Sequence, residues 1–243
     1  MTGSSTERPT VVLIHGAFAD GSSWTGVIDL LLKERVKVQA LAIGLRGIGV
    51  DSAYAASAIS QIPGPVLAVG HSYGGAIISN AASATKNVVG LVFVNAFATE
   101  ENEVLSDVEG TSRDSALGPA LMTVQYPTGL GDETATELYV NPDMFPAVFG
   151  ADLPPEQAAA LAASQRPVAA AAFDEKSGPP AWKTLPSWAV VATGDKAAGT
   201  DITLSMAKRA GADIVEVDGS HLIMMSQPRV VADVILKALH TVS

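Results

Sequence analysis

The stretch Val66-Leu67-Ala68-Val69-Gly70-His71-Ser72-Tyr73-Gly74-Gly75 constrains this chain more than any other. An apolar run enters a Gly-x-Ser-x-Gly turn, and a helix-like segment, Tyr73–Ala84, leaves it at once. A strand-to-helix turn this tight accepts only small residues on both sides of the serine, because bulky ones would collide. The helix start behind it offers free N–H groups and a positive dipole end to a developing negative charge. Ser72 is therefore the candidate nucleophile. The plainer alternative is a Gly-rich turn with a capping serine.

The flanks of the chain repeat the strand–helix theme. Apolar runs at Thr10–Ile14, Val36–Ile43, Val66–Val69, Val88–Val94, Ser187–Ala192 and Asp213–Val217 lack polar alternation, as strands buried on both faces do. Helices are expected between them: one capped by Ser23, one capped by Asp51, Tyr73–Ala84, Asp201–Ala210 with Asp201 as cap, and a last one opened by Ser226 and Pro228. This rhythm predicts an α/β fold, a doubly wound, mainly parallel sheet of six strands. In such sheets chemistry gathers on loops at the C-terminal strand ends, and Ser72, Asp195 and His221 each follow one.

Residues 97–185 break the rhythm. They are expected to form an inserted, largely helical cap, including an Ala-rich helix over Pro154–Ala172 interrupted at Pro167. The core is then residues 1–96 and 186–243, with 1–9 a flexible polar leader lacking the apolar stretch of a signal peptide. The insertion holds 14 Asp and Glu against 4 Lys and Arg, so the chain's net charge of -10 resides there. Without a basic patch, nucleic acid is excluded as a partner. With no cysteine, disulfides and thiolate chemistry are excluded as well. No apolar run is long enough to span a bilayer, so a cytoplasmic protein without membrane contact is expected. Monomer and homodimer both stay open.

A serine needs a base to take its proton, and the base needs a carboxylate to fix its tautomer. Of the four histidines, His240 belongs to the last helix, His71 to the interior of the turn and His15 to the first loop. His221 lies in the loop after the last strand and is the expected base. Asp195, directly at the preceding strand exit, is the expected acid, with Glu100 and Glu101 as alternatives from a neighbouring loop. The order Ser72, Asp195, His221 is nucleophile–acid–base. The backbone N–H groups of Tyr73 and Ala17 are the expected oxyanion donors. Phe18, Phe97, Tyr126 and Phe145 are expected to line the substrate pocket, with Leu105, Met122 and Phe149 as further candidates.

On His15-Gly16-Ala17-Phe18, Gly70-His71-Ser72-Tyr73-Gly74-Gly75, Thr193-Gly194-Asp195-Lys196 and Gly219-Ser220-His221, the chain resembles the α/β-hydrolase family from Val11 to Leu239. It looks most like small serine esterases of the plant methylesterase and hydroxynitrile lyase branch and related bacterial carboxylesterases. The resemblance implies a sheet beginning at the strand before His15, and a serine hydrolase acting on a small-molecule ester without metal or organic cofactor. Hydroxynitrile lyases of this group are expected to carry Thr after the first-loop histidine and Lys after the catalytic one. Here Gly16 and Leu222 stand there, which favours ester hydrolysis over a lyase or other non-hydrolytic reaction. A receptor-like binding protein with vestigial activity is the third reading. The acidic cap points to neutral substrates.

Overall fold

The computed structural model describes residues 8–243. The expected flexible leader therefore lies outside the described residues, apart from Arg8 and Pro9. Six parallel strands form the main sheet: β1 (Thr10–Ile14), β2 (Val38–Leu41), β3 (Val66–His71), β4 (Val88–Val94), β8 (Ser187–Ala192) and β9 (Asp213–Val217), in the order β2-β1-β3-β4-β8-β9. The central strands β3 and β8 are buried along their whole length, which explains their unbroken apolar sequences. The edge strands β2 and β9 are more exposed and read more polar. β2 is shorter than its apolar run: Val36 and Ile43 are buried, but outside the ladder.

Helices α1 (Thr25–Lys33), α2 (Ile48–Ser60) and α3 (Tyr73–Ser83) connect the first four strands. The chain steps from β1 to β2 in one direction and from β2 through β3 to β4 in the other. Right-handed crossovers then place α1 on one face and α2 with α3 on the opposite face. α2 packs on α3 accordingly, and α1 packs on the C-terminal helix, residues Pro228–Val242. Among the described residues no helix is long and apolar enough to cross a membrane.

Four helix starts differ from expectation. The segment before α1 opens as a 3-10 turn whose first N–H groups are met by Asp20, which accepts from Ser22, while the Ser23 hydroxyl bonds back to the Asp20 carbonyl. Asp51 sits inside the first turn of α2, behind Gly47, where its carboxylate accepts the Arg46 N–H and the Tyr73 hydroxyl. Gly199 precedes the helix Thr200–Arg209, and Asp201 instead grips Ser112 and the Arg113 N–H of the insertion. Ser226 ends a short helix, Ile223–Ser226, and Gln227 stands before Pro228 at the start of the last one. Asp51 and Asp201 thus found tertiary partners that propensity could not foresee, while Asp20 and Ser23 bond within their own turn.

The insertion between β4 and β8 carries, in order, α4 (Leu105–Glu109), α5 (Leu117–Ala120), β5 (Leu121–Pro127), β6 (Thr134–Val140), α6 (Phe145–Phe149), α7 (Pro155–Ala163), β7 (Val168–Ala169) and α8 (Ala171–Asp174). Its helices are joined by an unforeseen antiparallel sheet, β5-β6-β7. The Ala-rich stretch is helical to Ala163 and again from Ala171 in α8; between them, just beyond Pro167, the chain pairs with β6 and hydrogen-bonds the core at Leu45. α9 (Thr200–Arg209), α10 (Ile223–Ser226) and α11 (Pro228–Val242) complete the fold.

Candidate active site

Strand register brings the loops together. Ile14 pairs with Gly70, His71 with Val94, Val94 with Val190 and Ala192 with Val217. The residues that follow β1, β3, β4, β8 and β9 therefore emerge along one edge of the sheet. This alone collects His15, Ser72, Asn95, Asp195 and His221.

Ser72 occupies the left-handed region, with φ 52° and ψ -123°, a conformation an L-residue holds only when its surroundings enforce it. Its carbonyl accepts from Gly75 N–H at 2.9 Å and Phe97 N–H at 3.2 Å, and its N–H reaches the Val94 carbonyl at 3.3 Å. The glycines leave no alternative around it. A Cβ on Gly70 would lie 2.4 Å from the Gly74 carbonyl oxygen, and one on Gly74 would lie 2.6 Å from that of Ile14. The Tyr73 N–H is the first of α3 and has no intrahelical acceptor. Gly16 lies against the serine, since a Cβ there would approach Ser72 Cβ to 2.7 Å. The loop that carries Ala17 is thereby drawn up to the turn.

His221 Nδ1 lies 2.8 Å from Asp195 Oδ2, and both residues are fully buried. The other oxygen of Asp195 accepts the N–H groups of Ala197 and Ala198, at 2.9 and 3.1 Å. With a carboxylate oxygen as acceptor, the proton of His221 is assigned to Nδ1. Nε2 is left as a lone pair, buried and without a hydrogen-bond partner. Glu100 is engaged elsewhere, 2.6 Å from Lys183.

The other two buried histidines support the same edge. His15 Nε2 accepts from Ile43 N–H at 3.0 Å, so Nδ1–H faces the Gly16 carbonyl at 2.9 Å and shapes that loop. His71 Nε2 donates to the His221 carbonyl at 3.0 Å, and the two rings stand 4.5 Å apart. Burial pushes both His15 and His71 below their ordinary pKa, His71 strongly, with the nearby His221 acting in the same direction. Asn95, left-handed at φ 43°, donates through Nδ2 to the carbonyls of Ser220 and His221 at 3.1 and 3.0 Å. Its Oδ1 accepts the Ala192 N–H at 2.7 Å. One amide thus ties the strand end before Asp195 to the loop bearing His221. Sequence reading passed over it, although an Asn closing a buried apolar strand was the available signal.

A cavity opens beside this cluster, walled by Phe18, Phe145, Phe149, Leu161, Leu222 and Met225. Ala17, adjacent to the Gly16 that lies against Ser72, also lines it, while Ser72 itself does not. Phe149 stands edge-on to His221 with centroids 5.1 Å apart, and stacks on Phe145 at 5.0 Å. Two expected pocket residues lie elsewhere. Phe97 is buried behind the turn, and Tyr126 lies on β5 beneath the Arg46 guanidinium at 4.5 Å. Met122 is exposed on the same strand. Among the described residues no group of three or more His, Asp or Glu gathers in a way that could hold a metal ion.

A family profile described as the alpha/beta hydrolase family matches residues 11–234. A search of curated proteins finds no match. Among solved structures, polyneuridine aldehyde esterase superposes with a TM-score of 0.80 at 19% identity, covering 96% of this chain and 99% of that one. A methylesterase from Arabidopsis gives 0.78 at 17% identity over the same shares. Methylketone synthase I from tomato, complexed with 2-tridecanone, gives 0.76 at 19% identity, covering 97% and 99%. At these identities the likeness lies in the fold.

Proposed function

Because the chain belongs to the alpha/beta hydrolase family, we propose that it cleaves carboxylic esters of small, neutral molecules through an acyl-enzyme on Ser72. The observation that carries this reading is His221, with Nδ1 held by Asp195 and Nε2 bare and buried, at the same sheet edge that presents the strained serine. In the proposed cycle Nε2 takes the Ser72 proton as the oxygen attacks the ester carbonyl, and Asp195 stabilises the imidazolium. The N–H groups of Tyr73 and Ala17 receive the oxyanion, each worth about 3 kcal/mol in comparable sites. The imidazolium then protonates the leaving alcohol, and water repeats the sequence to release the acid. The insertion acts as a cap whose phenylalanines hold the apolar part of the substrate. Leu222 forms the cavity wall beside the base, so no charge is placed there to stabilise a cyanide leaving group, and hydrolysis is preferred to the lyase reading.

The test is hydrolysis of a p-nitrophenyl ester series from acetate upward. Wild-type protein should turn over with a burst, and Ser72→Ala should lose at least about a thousandfold in kcat/KM. Equal turnover by Ser72→Ala, or none by wild type across the series, would overturn the proposal.

A further inference from the structure

The loop Ser220-His221-Leu222 is held from two sides. Its carbonyls face the core, where Asn95 and His71 bind them. Its N–H groups at Ser220 and Leu222 face the insertion. Ser220 N–H donates to Asp152 Oδ2 at 3.1 Å, and Leu222 N–H donates to the Phe149 carbonyl at 3.1 Å. The Ser220 hydroxyl has one hydrogen to give, with Asp152 Oδ1 in very close contact and the Phe149 carbonyl at 3.1 Å. Asp152 can come this near because position 219 is glycine: a Cβ there would lie 3.0 Å from Asp152 Oδ2. Partial burial would raise the Asp152 carboxyl, but hydrogen bonds led by Ser220 outweigh it and hold the group below its ordinary pKa. A carboxylate of the insertion thus takes both donors of the residue that precedes His221.

We propose that Asp152 is a positioning residue: through Ser220 it fixes His221 from the cap side, while Phe149, three residues before it, contacts both the base and the cavity. The inference rests on His221 being the base. A carboxylate that accepts two bonds restrains the direction of the loop, and misplacing a reacting nitrogen by an ångström is costly to rate while leaving binding largely intact. The same contact makes docking of the cap a condition for an aligned base. Asp152 is itself exposed, so removing it leaves the core packing untouched.

The experiment compares wild type with Asp152→Ala, Asp152→Asn and Ser220→Ala. Asp152→Ala should lower kcat by about tenfold with KM within about twofold of wild type. Asp152→Asn, whose amide oxygen can still accept from Ser220, should recover part of the loss. Removing Asp152 in the Ser220→Ala background should cost less than removing it alone. In the same variants, NMR of 15N-histidine-labelled protein follows the His221 ring, whose titration should move in Asp152→Ala. Folded variants with wild-type kcat and an unmoved His221 titration would overturn the clamp. Absence of ester turnover in wild type would overturn the ester reading alone, and the His221 titration would then decide on the clamp.

Discussion

At the scale of single residues, the site depends on which nitrogen carries which proton. His15 and His71 are both buried with one ring nitrogen donating to a carbonyl, so neither can take a second proton without losing solvation it has no means to replace. Their pKa values are held below the ordinary 6.5 by burial. In the unfolded chain both histidines protonate as pH falls through about 6.5, while in the folded chain they stay neutral. The unfolded state therefore binds more protons in that range, and stability must fall on acidification. Urea unfolding should show the free energy declining below about pH 6.5, by up to about 1.4 kcal/mol per pH unit for each histidine. A stability profile flat from about pH 7 to pH 5 would contradict the assignment. Ser72, Asp195 and His221 were legible in the sequence because each follows an apolar strand and one carries a steric signature. Asn95 and Asp152 were not, since their importance lies in partners more than 65 positions away.

At the scale of elements, the strands of the main sheet were legible and those of the insertion were not. β1, β4, β8 and β9 lie where their apolar runs begin and end. The antiparallel sheet of the insertion was invisible because Met122, Thr123, Val124 and Gln125 of β5 are all exposed, leaving no alternation to read. Pocket residues divided in the same way. Phe18 and Phe145 belong to elements that meet at the cavity, whereas Tyr126 sits on a strand whose partner is Arg46. The stacked pair Phe145 and Phe149 closes one side of that cavity, with α6 as its support. Phe145→Ala should open it toward α7, shifting kcat/KM toward longer acyl chains by roughly tenfold relative to acetate. An unchanged chain-length profile in a folded variant would place the acyl group elsewhere.

At the scale of the molecule, a parallel sheet brings side chains as far apart as His71 and His221, 150 positions, into contact. The alternation of strands and helices foretold that edge, and the family match over residues 11–234 agrees with it. Charge is divided as the residue counts indicate, with the acidic excess confined to the segment between β4 and β8. What the sequence could not convey is how that segment meets the core. Ala169 bonds Leu45, Arg46 bonds Glu137 and Asp152 bonds Ser220, each joining residues by tertiary fit rather than by local pattern. On the proposed reading, Ser72 is a nucleophile made reactive by His221. This is tested most directly by treating the protein with a p-nitrophenyl phosphonate and mapping the adduct by mass spectrometry of peptides. A phosphonyl group is expected on Ser72 in wild type and none in His221→Ala over the same interval. An adduct on another residue, or equal labelling of Ser72 without His221, would contradict it.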